Sequence, residues 1–258
     1  MPYTEIKGIK IYYEDNGSEE NPVIILLHGW TADHNRWGKQ VDFLKDKYRI
    51  ITLDLRGHGQ SDKGENLDYS SIKILSEDLK ILMENLKINK ATIGGHSMGG
   101  MTVLQFVLDY PDKVEKLILV DTIAKFKYSF GRGILLSISN ILPFESFLTM
   151  QIKRAFRKNW NKEEVEEAVE LSLENPKYVV YKFYSAMKKF DVLDEISNIK
   201  VPTLIIHGGK DIQIPLSQAK KMHEKIENSK MVIIEDSGHE ITIEEPDKVN
   251  NAIIEFLE

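Results

Sequence analysis

The 258-residue chain contains no cysteine, so disulfide bonds, thiolate nucleophiles and cysteine-ligated zinc sites are excluded. It has no apolar run long enough to span a bilayer. Its first residues, MPYTEIKGIKIYYEDNG, lack the basic-then-apolar pattern of an export signal. Both absences lead us to expect a cytoplasmic protein with no stable membrane insertion. No dense Lys/Arg stripe stands out and the formal net charge is −6, which argues against nucleic acid as a partner. The sequence has no low-complexity segment and no internal repeat. Its histidines show no H-E-x-x-H or similar ligand spacing, so no metal is expected.

What is present is an ordinary globular composition, 42% hydrophobic and 29% charged. The length suffices for one sizeable α/β core with room for an insertion. Short runs rich in Ile, Val and Leu occur at Lys10–Tyr13, Val23–Leu27, Arg49–Leu53, Ala91–Gly94, Lys116–Val120, Thr203–His207 and Met231–Ile234. They show little polar alternation, as expected of strands covered on both faces. Between them lie helix-like stretches at Asn35–Lys45, Ser71–Leu86, Met98–Asp109, Leu216–Ile226 and Pro246–Leu257. The second places Ile72, Leu75, Leu79, Leu82 and Leu86 on one face, and Pro246 suits a first helical turn. The alternation predicts an α/β fold with a mostly parallel sheet flanked by helices.

One region breaks this rhythm. From about Thr122 to Lys189 no convincing strand appears, and aromatic and apolar residues accumulate: Phe126, Tyr128, Phe130, Leu135, Leu136, Phe144, Phe147, Phe156 and Trp160. Asn161–Leu173 reads as a charged amphipathic helix. The expected organisation is a core made of residues 1–121 and 190–258, with a helical insertion at 122–189. Some of the insertion's aromatics pack it against the core; others are expected to line an apolar substrate pocket. No charged anchor for a substrate is evident in it.

The motif Gly95-His96-Ser97-Met98-Gly99 stands directly after a strand-like run and before a helix, the context that G-x-S-x-G requires. A serine on a tight strand-to-helix turn has a strained backbone, and side chains two residues to either side would collide. Glycine removes the collision, and the helix N-terminus supplies N–H groups where an oxyanion forms. Rival readings of the glycines fail: a dinucleotide fingerprint needs glycine where Ser97 stands, and a P-loop needs lysine where Met101 stands. No cofactor is therefore expected. Leu27-His28-Gly29-Trp30 ends another strand-like run, and in a parallel sheet its loop faces the serine. The backbone N–H groups of Trp30 and Met98 are the candidate oxyanion donors.

Two further loops supply the remaining groups. Asp211, in Gly208-Gly209-Lys210-Asp211, is a candidate to hold a catalytic histidine in the right tautomer. Asp121, at the end of another strand-like run, competes with it. Chain order alone does not separate the two, and the Gly-rich approach favours Asp211. Asp236-Ser237-Gly238-His239-Glu240 presents the general-base candidate, His239. His34, His58, His96 and His207 precede Asp211 and break the expected order, while His223 falls in a helical stretch. Arg56-Gly57-His58-Gly59-Gln60-Ser61-Asp62 reads as a compact turn buttressed by Arg56.

With HGW at 28–30, DLRGHGQSD at 54–62, GHSMGG at 95–100, GGKDIQIP at 208–215 and DSGHE at 236–240, the chain resembles the α/β-hydrolase superfamily from Lys10 to its C-terminus. Within it, the chain looks like the capped serine hydrolases, in which a helical cap is inserted after the sixth strand. The resemblance implies Ser97, Asp211 and His239 as a triad, with Trp30 and Met98 as oxyanion donors. Relatives that dehalogenate or open epoxides carry aspartate at the elbow, so Ser97 argues against those activities. The lack of an HGGG loop argues against the hormone-sensitive-lipase-like branch. Capped serine relatives include carboxylesterases, monoacylglycerol lipases, enol-lactonases and C–C bond hydrolases. The expected activity is cleavage of small or medium acyl esters, with a lactonase or C–C hydrolase next, and a small-molecule receptor on the same scaffold as the non-enzymatic alternative.

Overall fold

A computed structural model describes residues 2–126, 142–157 and 159–258. Its eight strands are β1 (Tyr3–Ile6), β2 (Ile9–Asn16), β3 (Val23–Leu27), β4 (Arg49–Leu53), β5 (Ala91–His96), β6 (Val114–Val120), β7 (Thr203–Gly208) and β8 (Ser229–Ile234). They form one sheet in the order β1-β2-β4-β3-β5-β6-β7-β8. The first two strands pair antiparallel with each other and β2 pairs antiparallel with β4; from β4 to β8 all neighbours are parallel. All seven sequence-predicted strands are present. The eighth, β1, escaped the pattern because it is short and polar, with only Ile6 buried. Its hairpin to β2 turns on Lys7 (φ 50°) and Gly8 (φ 82°), two consecutive left-handed residues of the kind a two-residue hairpin requires.

The helices that flank the sheet are α1 (Gly38–Leu44), α2 (Ile72–Asn85), α3 (Met98–Asp109), α7 (Leu216–Lys225), the single turn α8 (Ile241–Glu244) and α9 (Pro246–Leu257). Ser71 starts α2 by accepting the Lys73 N–H at 3.1 Å on its Oγ. The period of two in the strands divides the core into two layers. Ile25, Leu27, Leu117 and Leu119 pack with Leu75, Leu79 and Leu82 of α2 and with α3. Their neighbours Ile24, Leu26, Ile118 and Val120 pack on the other face with Val41 of α1 and with Val249 and Ile253 of α9. That is why these strands read as unbroken apolar runs.

Among the described residues, three α-helices stand between β6 and β7: α4 (Phe144–Ala155), α5 (Lys162–Leu173) and α6 (Lys177–Lys188). Helix α5 was expected at this place; α4 and α6 were not resolved from the general helical character of the region. Leu148, Ile152, Phe156, Val169 and Val180 form a small core among them, while Val179 and Phe183 of α6 join the main core. Tyr128, Phe130, Leu135 and Leu136 lie outside the described residues. Among the described residues no helix is long and apolar enough to cross a membrane.

The loop after β4 is the compact turn that was expected. Asp54 accepts the N–H groups of His34 at 2.8 Å and Gln60 at 2.7 Å, and Ser61 Oγ donates to the Asp54 carbonyl at 2.6 Å. Arg56 makes a two-pronged, buried ion pair with Asp78 of α2. Removing one partner of a buried pair strands the other charge. Arg56→Met is therefore expected to lower the free energy of unfolding by about 3–5 kcal/mol in urea titration, and adding Asp78→Leu is expected to restore most of the loss.

Candidate active site

Five loops leave the sheet at the carboxyl ends of β3, β5, β6, β7 and β8, the edge where parallel sheets build their sites. Ser97 stands between β5 and α3 with φ 52° and ψ −114°, a conformation that costs a non-glycine residue about 1–3 kcal/mol. The neighbourhood holds it there. Its N–H donates to the Val120 carbonyl at 3.0 Å, and its own carbonyl accepts Thr122 Oγ1 at 2.7 Å. A Cβ on Gly95 would overlap the backbone of Gly99, which is the collision anticipated from the motif.

The Gly29 backbone lies against the serine, since a Cβ there would sit 3.3 Å from Ser97 Cβ. The next residue, Trp30, is tied to α6 by its indole N–H, which donates to the Val180 carbonyl at 3.1 Å. Met98 opens α3, where an N–H has no intrahelical acceptor. His28 is satisfied locally: Nδ1 donates to the Gly29 carbonyl at 2.7 Å and Nε2 accepts the Leu55 N–H at 3.0 Å.

His239, after β8, donates from Nδ1 to Asp211 Oδ2 at 2.7 Å. Asp211 Oδ1 accepts two backbone N–H groups, Gln213 at 2.6 Å and Ile214 at 2.8 Å. Burial opposes the charge on Asp211, but His239 and these donors outweigh it and hold the carboxyl below its ordinary range. Burial likewise opposes protonation of His239, yet the Asp211 carboxylate reverses that and pushes the imidazole up to about 9.

The competitor Asp121 lies close by, with a carboxylate oxygen within 4.8 Å of ring nitrogens of both His96 and His239. Its Oδ1 accepts the Gly208 N–H at 2.8 Å. Burial and the neighbouring charge of Asp211 push it well above the carboxylate range. The structure thus brings both acids to His239 but gives the hydrogen bond to Asp211. Among the described residues three His/Asp groups offer ligand atoms within 4.8 Å of one another, the others being Asp33-His34-Asp54 and Asp121-His207-Asp211. Of these two, the first contains a His34–Asp54 hydrogen bond of 2.7 Å; in the second, His207 Nδ1 lies 3.1 Å from Asp121 Oδ1 without the direction of a hydrogen bond.

Ser97 and His239 open onto a cavity of about 160 Å³. Trp30, Met101, Ile123, Phe126, Tyr184 and Met187 make much of its wall. Two cations also line it: Lys125, paired with Asp191, and Arg154 of α4. The sequence offered no charged anchor because these residues belong to separate segments that converge only in the fold. Sequence reasoning also passed over Thr122, which braces the serine turn, and His96, dismissed for its chain order. His96 Nε2 donates to the His239 carbonyl at 2.8 Å. The position of His96 inside the serine motif was the signal that it stands at the site.

The chain matches the model of the alpha/beta hydrolase fold over residues 22–246, and it belongs to that family. It is 31% identical over 260 residues to the AB hydrolase superfamily protein YisY of Bacillus subtilis, covering 96% of this chain and 95% of the relative. Among solved structures it resembles the enol-lactonase from Burkholderia xenovorans LB400, with a TM-score of 0.90, 26% identity and 99% of each chain covered. It also resembles the esterase EaEST from Exiguobacterium antarcticum, with a TM-score of 0.88, 28% identity and 98% of this chain and 97% of that one covered.

The His239–Asp211 contact has a direct spectroscopic consequence. In an NMR titration the His239 imidazole is expected to titrate well above 6.5, toward 9. Asp211→Asn is expected to move that midpoint downward, because the substitution removes the carboxylate charge that sustains it.

Proposed function

We propose that the protein is a serine hydrolase that cleaves carboxylic esters of small or medium acyl chains through an acyl-enzyme on Ser97. The observation that carries this reading is the 2.7 Å His239–Asp211 hydrogen bond, set in the cavity that Ser97 also lines. His239 Nε2 takes the Ser97 hydroxyl proton as Oγ attacks the ester carbonyl, and Asp211 stabilises the imidazolium that results. The N–H groups of Trp30 and Met98 donate to the tetrahedral oxyanion. His239 returns its proton to the departing alcohol, and water then releases the acid by the same steps. Residues 122–189 act as a cap over the pocket. In support, Gln151, Arg154, Tyr184 and Met187 of this segment line the cavity, and the Ala155 carbonyl accepts the His239 N–H at 2.7 Å.

A lactone is the second substrate class, favoured by the 99% coverage and 0.90 TM-score against an enol-lactonase. In a lactone the acyl and alcohol parts are one molecule and fit one cavity. A panel of p-nitrophenyl esters and lactones on the purified protein separates the two classes by kcat/KM.

Ser97→Ala is expected to abolish turnover of p-nitrophenyl butyrate and labelling by a fluorophosphonate probe. Undiminished turnover by this variant refutes the reading. Asp211→Asn is expected to lower kcat on the order of 10⁴-fold, as removal of the orienting carboxylate does in other triads.

The pH dependence follows from the sign of the His239 shift. Only the neutral imidazole accepts the serine proton, so kcat/KM is expected to rise with pH through an inflection above 6.5. A pH–rate profile with its acidic limb below 6.5 contradicts the upward shift of His239.

A further inference from the structure

A second, smaller chamber adjoins Ser97 and His239. Its volume is about 30 Å³, and its wall includes Ala32, Arg36, His96 and Glu240 as well as both of those residues. One water needs roughly 10–15 Å³ measured this way. The chamber therefore accepts a water or two and excludes an acyl chain.

Its polar groups are buried and incompletely paired. Arg36 Nη1 lies 3.0 Å from Glu240 Oε2, with side chains only 5% and 7% exposed. Neither atom makes a well-directed hydrogen bond among the described residues. Desolvating such a pair is costly unless further hydrogen bonds complete it. His96 completes the picture by its tautomer. Burial, then the neighbouring His239, pushes its pKa down to about 4, so the ring is neutral. Its one ring proton is on Nε2, which donates to the His239 carbonyl at 2.8 Å. Nδ1 is therefore a lone-pair acceptor, buried and without a donor among the described residues. A ligand of this chamber must donate to an imidazole nitrogen or carboxylate, accept from a guanidinium, and be no larger than a water or two. Water itself meets all three conditions.

We propose that the chamber bounded by Ala32, Arg36, His96 and Glu240 is a water site that feeds hydrolysis of the acyl group on Ser97. The inference rests on the acyl-enzyme reading given above. Water enters from the side of the imidazole facing the chamber. Its oxygen bonds to the acyl carbon while one of its protons passes to His239 Nε2. The acyl carbon–Oγ bond then breaks, Ser97 Oγ takes that proton back, and the carboxylic acid leaves through the larger cavity.

Ala32→Val adds methyl groups at the chamber wall without altering a polar group. Stopped-flow turnover of p-nitrophenyl butyrate is the readout. The initial p-nitrophenol burst is expected to persist, while kcat and KM both fall by about tenfold and kcat/KM stays unchanged, the pattern of slowed deacylation alone. Intact-protein mass spectrometry is expected to show the butyryl adduct accumulating. An unchanged kcat without adduct, or a slowed burst, overturns the proposal. A crystal structure of the wild-type protein provides a check that does not depend on the variant folding. Ordered solvent within hydrogen-bond distance of His96 Nδ1 is expected, and a chamber without it overturns the proposal. If wild-type and Ala32→Val proteins alike never acylate at Ser97, it is the serine-hydrolase reading that fails.

Discussion

The site depends on one hydrogen bond, 2.7 Å long, from His239 Nδ1 to Asp211 Oδ2. Two carboxyl groups lie within reach of that imidazole, and both are buried. What distinguishes them is the supply of donors. Asp211 receives the imidazole and two backbone N–H groups. Asp121 receives the Gly208 N–H, while its Oδ2 is buried with no partner among the described residues. An ion in a low-dielectric interior is stable only where donors replace water. Burial and then the repulsion of Asp211 push the Asp121 carboxyl up, while His239 and the backbone donors hold Asp211 down. The two acids shift in opposite directions because the loop after β7 folds back to give Asp211 two further backbone donors.

The sheet makes this bond possible by fixing where its loops begin. Registered pairing from β4 to β8 brings the ends of β3, β5, β7 and β8 to one edge. On that platform the strained Ser97 turn costs about 1–3 kcal/mol. Hydrogen bonds to Val120 and Thr122 offset part of this, at about 1 kcal/mol each. The glycines at 95 and 99 relieve the remaining steric conflict. The elbow is thus held by its neighbours and not by its own preference, and Ser97 lines the cavity.

The helices between β6 and β7 are bonded to the reactive loops. The His239 N–H donates to the Ala155 carbonyl at the end of α4, and the Trp30 indole donates to the Val180 carbonyl in α6. Helix α4 lines both the larger cavity and the small chamber, and α6 lines the larger one. The charge of Glu240, adjacent in sequence to His239, is balanced by Arg36 of the loop after β3, so this arrangement too joins distant parts of the chain.

The sequence by itself determined whatever is written in local period and spacing. Seven strands were visible because burial on both faces demands continuous Ile, Val and Leu. The serine turn was visible because only glycine tolerates the close approach at 95 and 99, and Asp211 and His239 because turn-forming residues surround them. Strand β1 was not visible, since a short polar edge strand is recognised only by the partner it pairs with. Helices α4 and α6 merged into one apolar region, and the buried residues of α6 are divided between two separate cores. The Gly-rich approach favoured Asp211 over Asp121, but the donors that separate the two acids, the neutral His96 tautomer and the Arg36–Glu240 pair were decided by tertiary structure alone. Each depends on which donors and charges arrive from distant segments, and electrostatics in a buried site is set by neighbours in space.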